Sequence, residues 1–141
     1  MAQTDLDGHN HSFVETERNF QTLKEYESNN LIVPLVGDFA GSKAIRAVGR
    51  YIKDHHAAVV TFYASNVEEY LFKGGTWQTF YENVSTLPID PDSMSIRTFF
   101  NHTNAGLRTL LDPIVECLRA VTQGEIRTYT DLVSRSKTPQ P

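Results

Sequence analysis

A single cysteine, Cys117, is found among 141 residues. One thiol forms no intramolecular disulfide and supplies no cysteine zinc site. No apolar run approaches the length that crosses a bilayer, so no membrane partner is expected. Basic excess is missing too: 13 Lys and Arg stand against 17 Asp and Glu, for a net charge of −4. With a pI near 5.7, this argues against an electrostatic nucleic-acid binder. The chain contains no Gly-x-Gly-x-x-Gly fingerprint, no Walker A loop and no Gly-x-Ser-x-Gly elbow. Repeats and low-complexity tracts are absent. Met1 is followed by the polar run AQTDLDGHNH rather than by an export signal, and a cytoplasmic protein is expected. Without export, the Asn-x-Ser/Thr triplets at Asn10, Asn83 and Asn101 are chance matches to a glycosylation signal.

What is present is a globular composition, 40% hydrophobic and 21% charged, in a length that suits one domain. We read residues 12–136 as that domain, with a flexible N-terminus over 1–11 and a flexible tail over 137–141. Leu31–Val60 carries the strongest pattern. An apolar run, Leu31–Val36, leads through Gly37 and Gly41 into an amphipathic stretch, Ser42–Asp54, and then a β-branched and aromatic run, Ala57–Ala64. That pattern predicts a βαβ crossover, the unit of open Rossmann-type sheets.

Elsewhere, Ser12 with Glu15 fits a capping box opening a helix to about Ser28, which Asn29-Asn30 stops. Ser65 with Glu68 fits a second capping box at the end of the Ala57–Ala64 strand. A helix with Trp77, Phe80, Tyr81 and Val84 inward follows Gly74-Gly75. Asp90-Pro91-Asp92 is a turn, Ser95–Phe100 a strand, and Asp112-Pro113 the start of a helix to about Gln123. A short helix over Thr130–Ser136 closes the series. The predicted fold is α/β: a partial Rossmann-like three-layer sandwich on a mostly parallel sheet of about four strands, with a C-terminal antiparallel strand. A sheet this small leaves edges and faces open, so the chain pairs with itself or belongs to something larger.

Such sheets bind ligands beyond the carboxyl ends of their strands. There lie Gly37, Asp38, Gly41, Ser42 and Lys43, where helix-terminal amides and Lys43 can hold an anion or nucleotide. The competing reading is a tight turn capped by Ser42. Ser65 and Asn66 form a second polar lip, whose competing role is again helix capping. Of five histidines, His9 with His11 and His55 with His56 stand close, but neither pair has a third ligand at useful spacing, and no metal is expected. Cys117 reads as a small hydrophobe within its helix. No catalytic residue is assigned.

At VPLVGDFAGSKAIRAVGRYI (Val33–Ile52), VTFYASNVEEYLF (Val60–Phe72), Trp77, Asn83-Val84, Leu87-Pro88-Ile89 and Ser95-Ile96-Arg97 the chain resembles a family of uncharacterised bacterial proteins. Their fold looks like that of class I S-adenosylmethionine-dependent methyltransferases. The likeness covers most of residues 12–100, with Ser42 where the family typically has proline. It implies a longer protein of which these residues are the C-terminal half, with Ser95–Phe100 in the terminal antiparallel pair. The methyl-donor region would lie in the N-terminal half. S-adenosylmethionine is therefore a cofactor by resemblance alone, and no methyl transfer is expected from this chain by itself. The implied partner is a second copy or a complementary N-terminal half. The alternative is a non-catalytic dimerisation or protein-interaction module.

Overall fold

The structure is a computed structural model and describes residues 8, 9, 12, 14–101 and 106–138. His11, Phe13 and most of the first eleven residues lie outside that set, as do residues 102–105 and 139–141. The chain divides into two compact units, residues 1–36 and 37–141.

The first unit holds α1 (Glu17–Ser28). Its N-cap is Thr16, not Ser12: the Thr16 hydroxyl accepts from the Asn19 amide at 3.1 Å, while Ser12 sits a turn earlier in irregular chain. Asn29 is the C-cap and Asn30 takes a left-handed φ of 55°, a conformation that asparagine tolerates. The apolar run Leu31–Val36 corrects the expectation of a first parallel strand. It belongs to no ladder, and Leu31, Val33 and Leu35 are exposed, with Val36 fully so. Apolarity over six residues marks a segment able to be a strand, but backbone pairing makes it one.

The second unit contains α2 (Ala44–Asp54), β1 (Thr61–Ser65), α3 (Val67–Lys73), α4 (Trp77–Val84), β2 (Met94–Asn101), β3 (Gly106–Pro113), α5 (Ile114–Thr122) and α6 (Tyr129–Arg135). The fold is thus α/β, with six helices and a three-stranded open sheet in the order β1-β2-β3 among the described residues. β1 and β2 pair in parallel, and β2 and β3 pair antiparallel. The parallel crossover therefore runs from β1 through α3 and α4 to β2. The turn before β2 forms as its residues predict: Ser93 donates its amide to the Asp90 carbonyl at 3.1 Å, and Asp90 Oδ1 accepts from the Asp92 amide at 3.0 Å.

One face of the sheet builds the core. Phe62 of β1 packs on Phe80, and the cluster of Ile45, Val59, Phe80, Tyr81, Val84, Ile114, Ala120 and Leu132 joins α2, α4, α5 and α6 around it. Gly49 lets α2 approach closely: a Cβ there would lie 3.1 Å from the Thr86 carbonyl oxygen. Among the described residues, no helix is long and apolar enough to cross a membrane.

Candidate functional site

The loop before α2 is held from below by one asparagine. Asn83 of α4, wholly buried, donates from Nδ2 to the carbonyls of Phe39 at 3.1 Å and Gly41 at 2.9 Å, and accepts from Arg46 Nε at 2.7 Å. Asp38 folds onto its own loop, Oδ1 accepting from the Ala40 amide at 2.9 Å and its carbonyl from the Gly41 amide at 3.1 Å. Gly37 is required by a close approach: a Cβ there would lie 2.4 Å from Ala44 Cβ. Ser42 does not cap α2. The N-cap position falls on Lys43, without a side-chain bond, and both side chains are exposed. The loop thus turns two carbonyls onto its anchor, and the amides of Ala40 and Gly41 are already bonded.

Ser65 and Asn66 stand at the carboxyl end of β1, where the register with β2 slips between Tyr63 and Ser65. Ser65 has φ 52°, a strained conformation that costs about 1–3 kcal/mol in a non-glycine residue. No hydrogen bond joins this lip to the Gly37–Lys43 loop. The Ser65–Glu68 capping box does not form. Asn66 holds the N-cap position of α3, and Glu68 turns into the core instead.

Glu68 turns inward because Arg97 is there. Arg97 of β2, 1% exposed, donates from Nε to Glu68 Oε2 at 2.6 Å and from Nη2 to Glu68 Oε1 at 3.2 Å and Ser95 Oγ at 3.2 Å. Its Nη1 bonds Asp112 Oδ2 and, at 2.9 Å, Ser136 Oγ, which donates to Asp112 at 2.6 Å. Tyr81 completes the cluster by donating to Glu68 Oε1 at 2.6 Å. Burial works against the charge on Arg97, but the bonds and charge of Glu68 outweigh it and raise its pKa above the ordinary value. Burial, reinforced by the Glu68 charge, pushes the Tyr81 hydroxyl well up. This cluster also corrects the reading of Asp112-Pro113: Asp112 lies within β3 and serves Arg97, and Pro113, the last residue of β3, is the N-cap of α5.

Two further surfaces belong to the second unit. A cleft of about 450 Å³ is lined by Asp112, Cys117, Ile126, Leu132, Arg135 and Lys137, with Glu116 at its side. Burial raises the Cys117 thiol above its ordinary pKa, so it is a poor nucleophile. The second is the sheet face opposite the core cluster. By alternation and register it carries Thr61, Tyr63, Met94, Ile96, Thr98, Phe100, Leu107, Thr109, Leu111 and Pro113. None of these ten is charged or belongs to the core cluster, Tyr63 is 63% exposed and Leu107 72%.

The remaining features have local roles. His55 is the C-cap of α2, its Nδ1 lying 2.7 Å from the Tyr51 carbonyl, and its ring packs on Tyr51. Among the described residues, no group of three or more His, Cys, Asp or Glu is placed to hold a metal. Asn83 is too deeply buried to be glycosylated in the folded chain.

Arg97, Glu68, Asp112 and Asn83 are the residues that sequence reasoning missed. The available signal was Arg97 itself: a cation within an otherwise uncharged strand, Met94–Asn101, calls for a buried acid. No curated protein matches the chain. A family described as a domain of unknown function, DUF7790, matches residues 1–115, which include the loop, α3, Asn83, Arg97 and Asp112. The chain belongs to the DUF7790 family.

Proposed function

We propose that this chain is a non-catalytic assembly module built on part of a Rossmann-like, methyltransferase-like fold, and that its uncharged sheet face is covered by a second copy of itself. The observation that carries the reading is that face. A mostly parallel sheet of about four strands within a three-layer sandwich is covered on both sides, whereas here the core cluster, with α2, α4, α5 and α6 of the second unit, takes no residue from this face. The parallel β1–β2 crossover and antiparallel β3 are compatible with the later strands of such a fold.

A second copy suits the face because an isologous contact sets the same patch of both subunits against each other. Ten uncharged side chains then face ten others with no like charges opposed. The face is small beside the roughly 20–30 residues a side of a stable interface, so the dimer is a weak one, at micromolar concentration. The buried ion pair supports the non-catalytic part of the reading, since Arg97 and Glu68 are satisfied by partners inside the cluster.

Sedimentation velocity across the micromolar range tests this. A concentration-dependent dimer is expected, converted to monomer by Tyr63→Lys or Ile96→Lys with the circular dichroism spectrum unchanged. A chain that stays monomeric throughout, or a dimer indifferent to both substitutions, overturns it. A complementary N-terminal half that binds this face in place of a second copy overturns the choice of occupant. S-adenosylmethionine is expected to leave the melting temperature unmoved. A raised melt would overturn the non-catalytic reading, since a ligand binding only the folded state stabilises it.

A further inference from the structure

The cleft between β3, α5 and α6 carries a separate inference, set by its charge balance. Arg97 is one guanidinium shared by two carboxylates, Glu68 and Asp112, which leaves an excess of one negative charge. Asp112 is the member that reaches the cleft, its side chain 14% exposed. At the mouth, Glu116 is paired with Arg119, and Arg135 with Glu125 at 3.0 Å. Lys137 makes no ion pair among the described residues, so one positive charge is spare. Its backbone is fixed beside β3 by a bridge to Leu111, with hydrogen bonds of 2.8 and 3.1 Å, next to Asp112 in sequence. Cys117, Ile126 and Leu132, all buried, supply an apolar floor.

We infer that this cleft binds a small zwitterion, a free α-amino acid with an apolar side chain. The ammonium group donates to Asp112, the carboxylate faces Lys137, and the side chain lies over Ile126 and Leu132. A ligand bearing only one charge leaves the other end of the cleft uncompensated. The volume of about 450 Å³ falls within the range of small-molecule sites, about 300–1,000 Å³.

Calorimetric titration of the full chain with L-leucine, 3-methylbutylamine and 4-methylpentanoate separates the terms, since the last two each keep one of leucine's charges. Leucine is expected to bind about tenfold or more tighter than either. Lys137→Ala, an exposed substitution, is expected to weaken leucine about tenfold and leave the amine unchanged. Asp112→Asn is expected to weaken leucine and the amine together, and Lys137→Ala keeps the test decisive if that variant fails to fold. No heat with leucine at millimolar concentration, equal binding of leucine and the amine, or indifference to Lys137→Ala overturns the inference. Tyr63 does not line the cleft, so Tyr63→Lys is expected to leave leucine binding intact.

Discussion

Arg97 and Glu68 meet in a two-point ion pair inside the core, Nε to Oε2 at 2.6 Å and Nη2 to Oε1 at 3.2 Å. The pair ties the crossover helix α3 to the central strand β2, and Asp112 and Ser136 extend the tie through β3 to the end of α6. A buried guanidinium with no partner would cost several kcal/mol, but here each polar atom finds one. One residue therefore links three elements whose order along the chain does not make them neighbours.

Removing the guanidinium should be among the most damaging single changes. Arg97→Met leaves Glu68 buried and Asp112 half-buried without their cation, at an expected cost of about 3–5 kcal/mol. Urea denaturation checks this. The double variant Arg97→Met, Glu68→Leu is expected to be less destabilised than Arg97→Met alone, because it removes one stranded charge. Equal stability of wild type and Arg97→Met would mean that the cluster is not holding the fold.

Two tyrosines give a matched contrast. The Tyr81 hydroxyl donates to the Glu68 carboxylate, so Tyr81→Phe should cost about 1.5–3 kcal/mol. The buried Tyr129 hydroxyl has no hydrogen-bond partner among the described residues, and burial pushes its pKa up to about 12. Its ring packs on Phe72 and Phe99, contacts that phenylalanine keeps. Tyr129→Phe is expected to be neutral or stabilising by about 0–1 kcal/mol. Denaturation midpoints of the two variants should move in opposite directions, or only the first should move.

Helices were the legible part of the fold, because periodic apolar residues are local, although the caps expected at Ser12, Ser42, Ser65 and Asp112 do not form. The stripe Ile45–Ile52, the inward Phe80, Tyr81 and Val84, and the Asp90–Asp92 turn all follow from neighbouring residues. Pairing was not legible. Leu31–Val36 has a strand's composition and no ladder. Glu68 sits at capping-box spacing from Ser65, and only Arg97, 29 residues away in sequence, turns it inward. The Gly37–Lys43 turn was found as a glycine-bearing loop, but its anchor, Asn83, looked like any polar position on a helix. Long-range polar contacts leave no periodic trace.

The tightness of the Gly37–Ala44 approach makes a coupled prediction. Gly37→Ala places its Cβ 2.4 Å from the Ala44 Cβ, an overlap expected to cost about 1–3 kcal/mol. Ala44→Gly alone costs helix propensity, about 1 kcal/mol. The double variant should be more stable than the sum of the two losses implies, since the second change opens the space that the first one needs. Strict additivity in denaturation would show that the loop relaxes freely and that glycine is not needed there.

The C-terminal helix gives the pH prediction. Asp131 Oδ2 accepts from the backbone amides of Arg127 at 3.0 Å and Thr128 at 2.8 Å, and the Asp131 amide donates to Thr128 Oγ1 at 3.1 Å. These bonds, the Arg127 amide first, hold the carboxyl below its ordinary value of 3.8. A folded-state pKa below the unfolded one means stability that is present above 3.8 and lost as the pH falls through the folded value. The capping box sets the start of α6, whose Leu132 is buried in the core, so the loss reaches global stability. Asp131→Asn should therefore lower the urea midpoint at neutral pH. At pH well below 3.8 wild type and variant should converge, because the protonated aspartate has lost the same advantage. A gap between them that persists undiminished into acid would show that the carboxylate charge contributes nothing to capping α6.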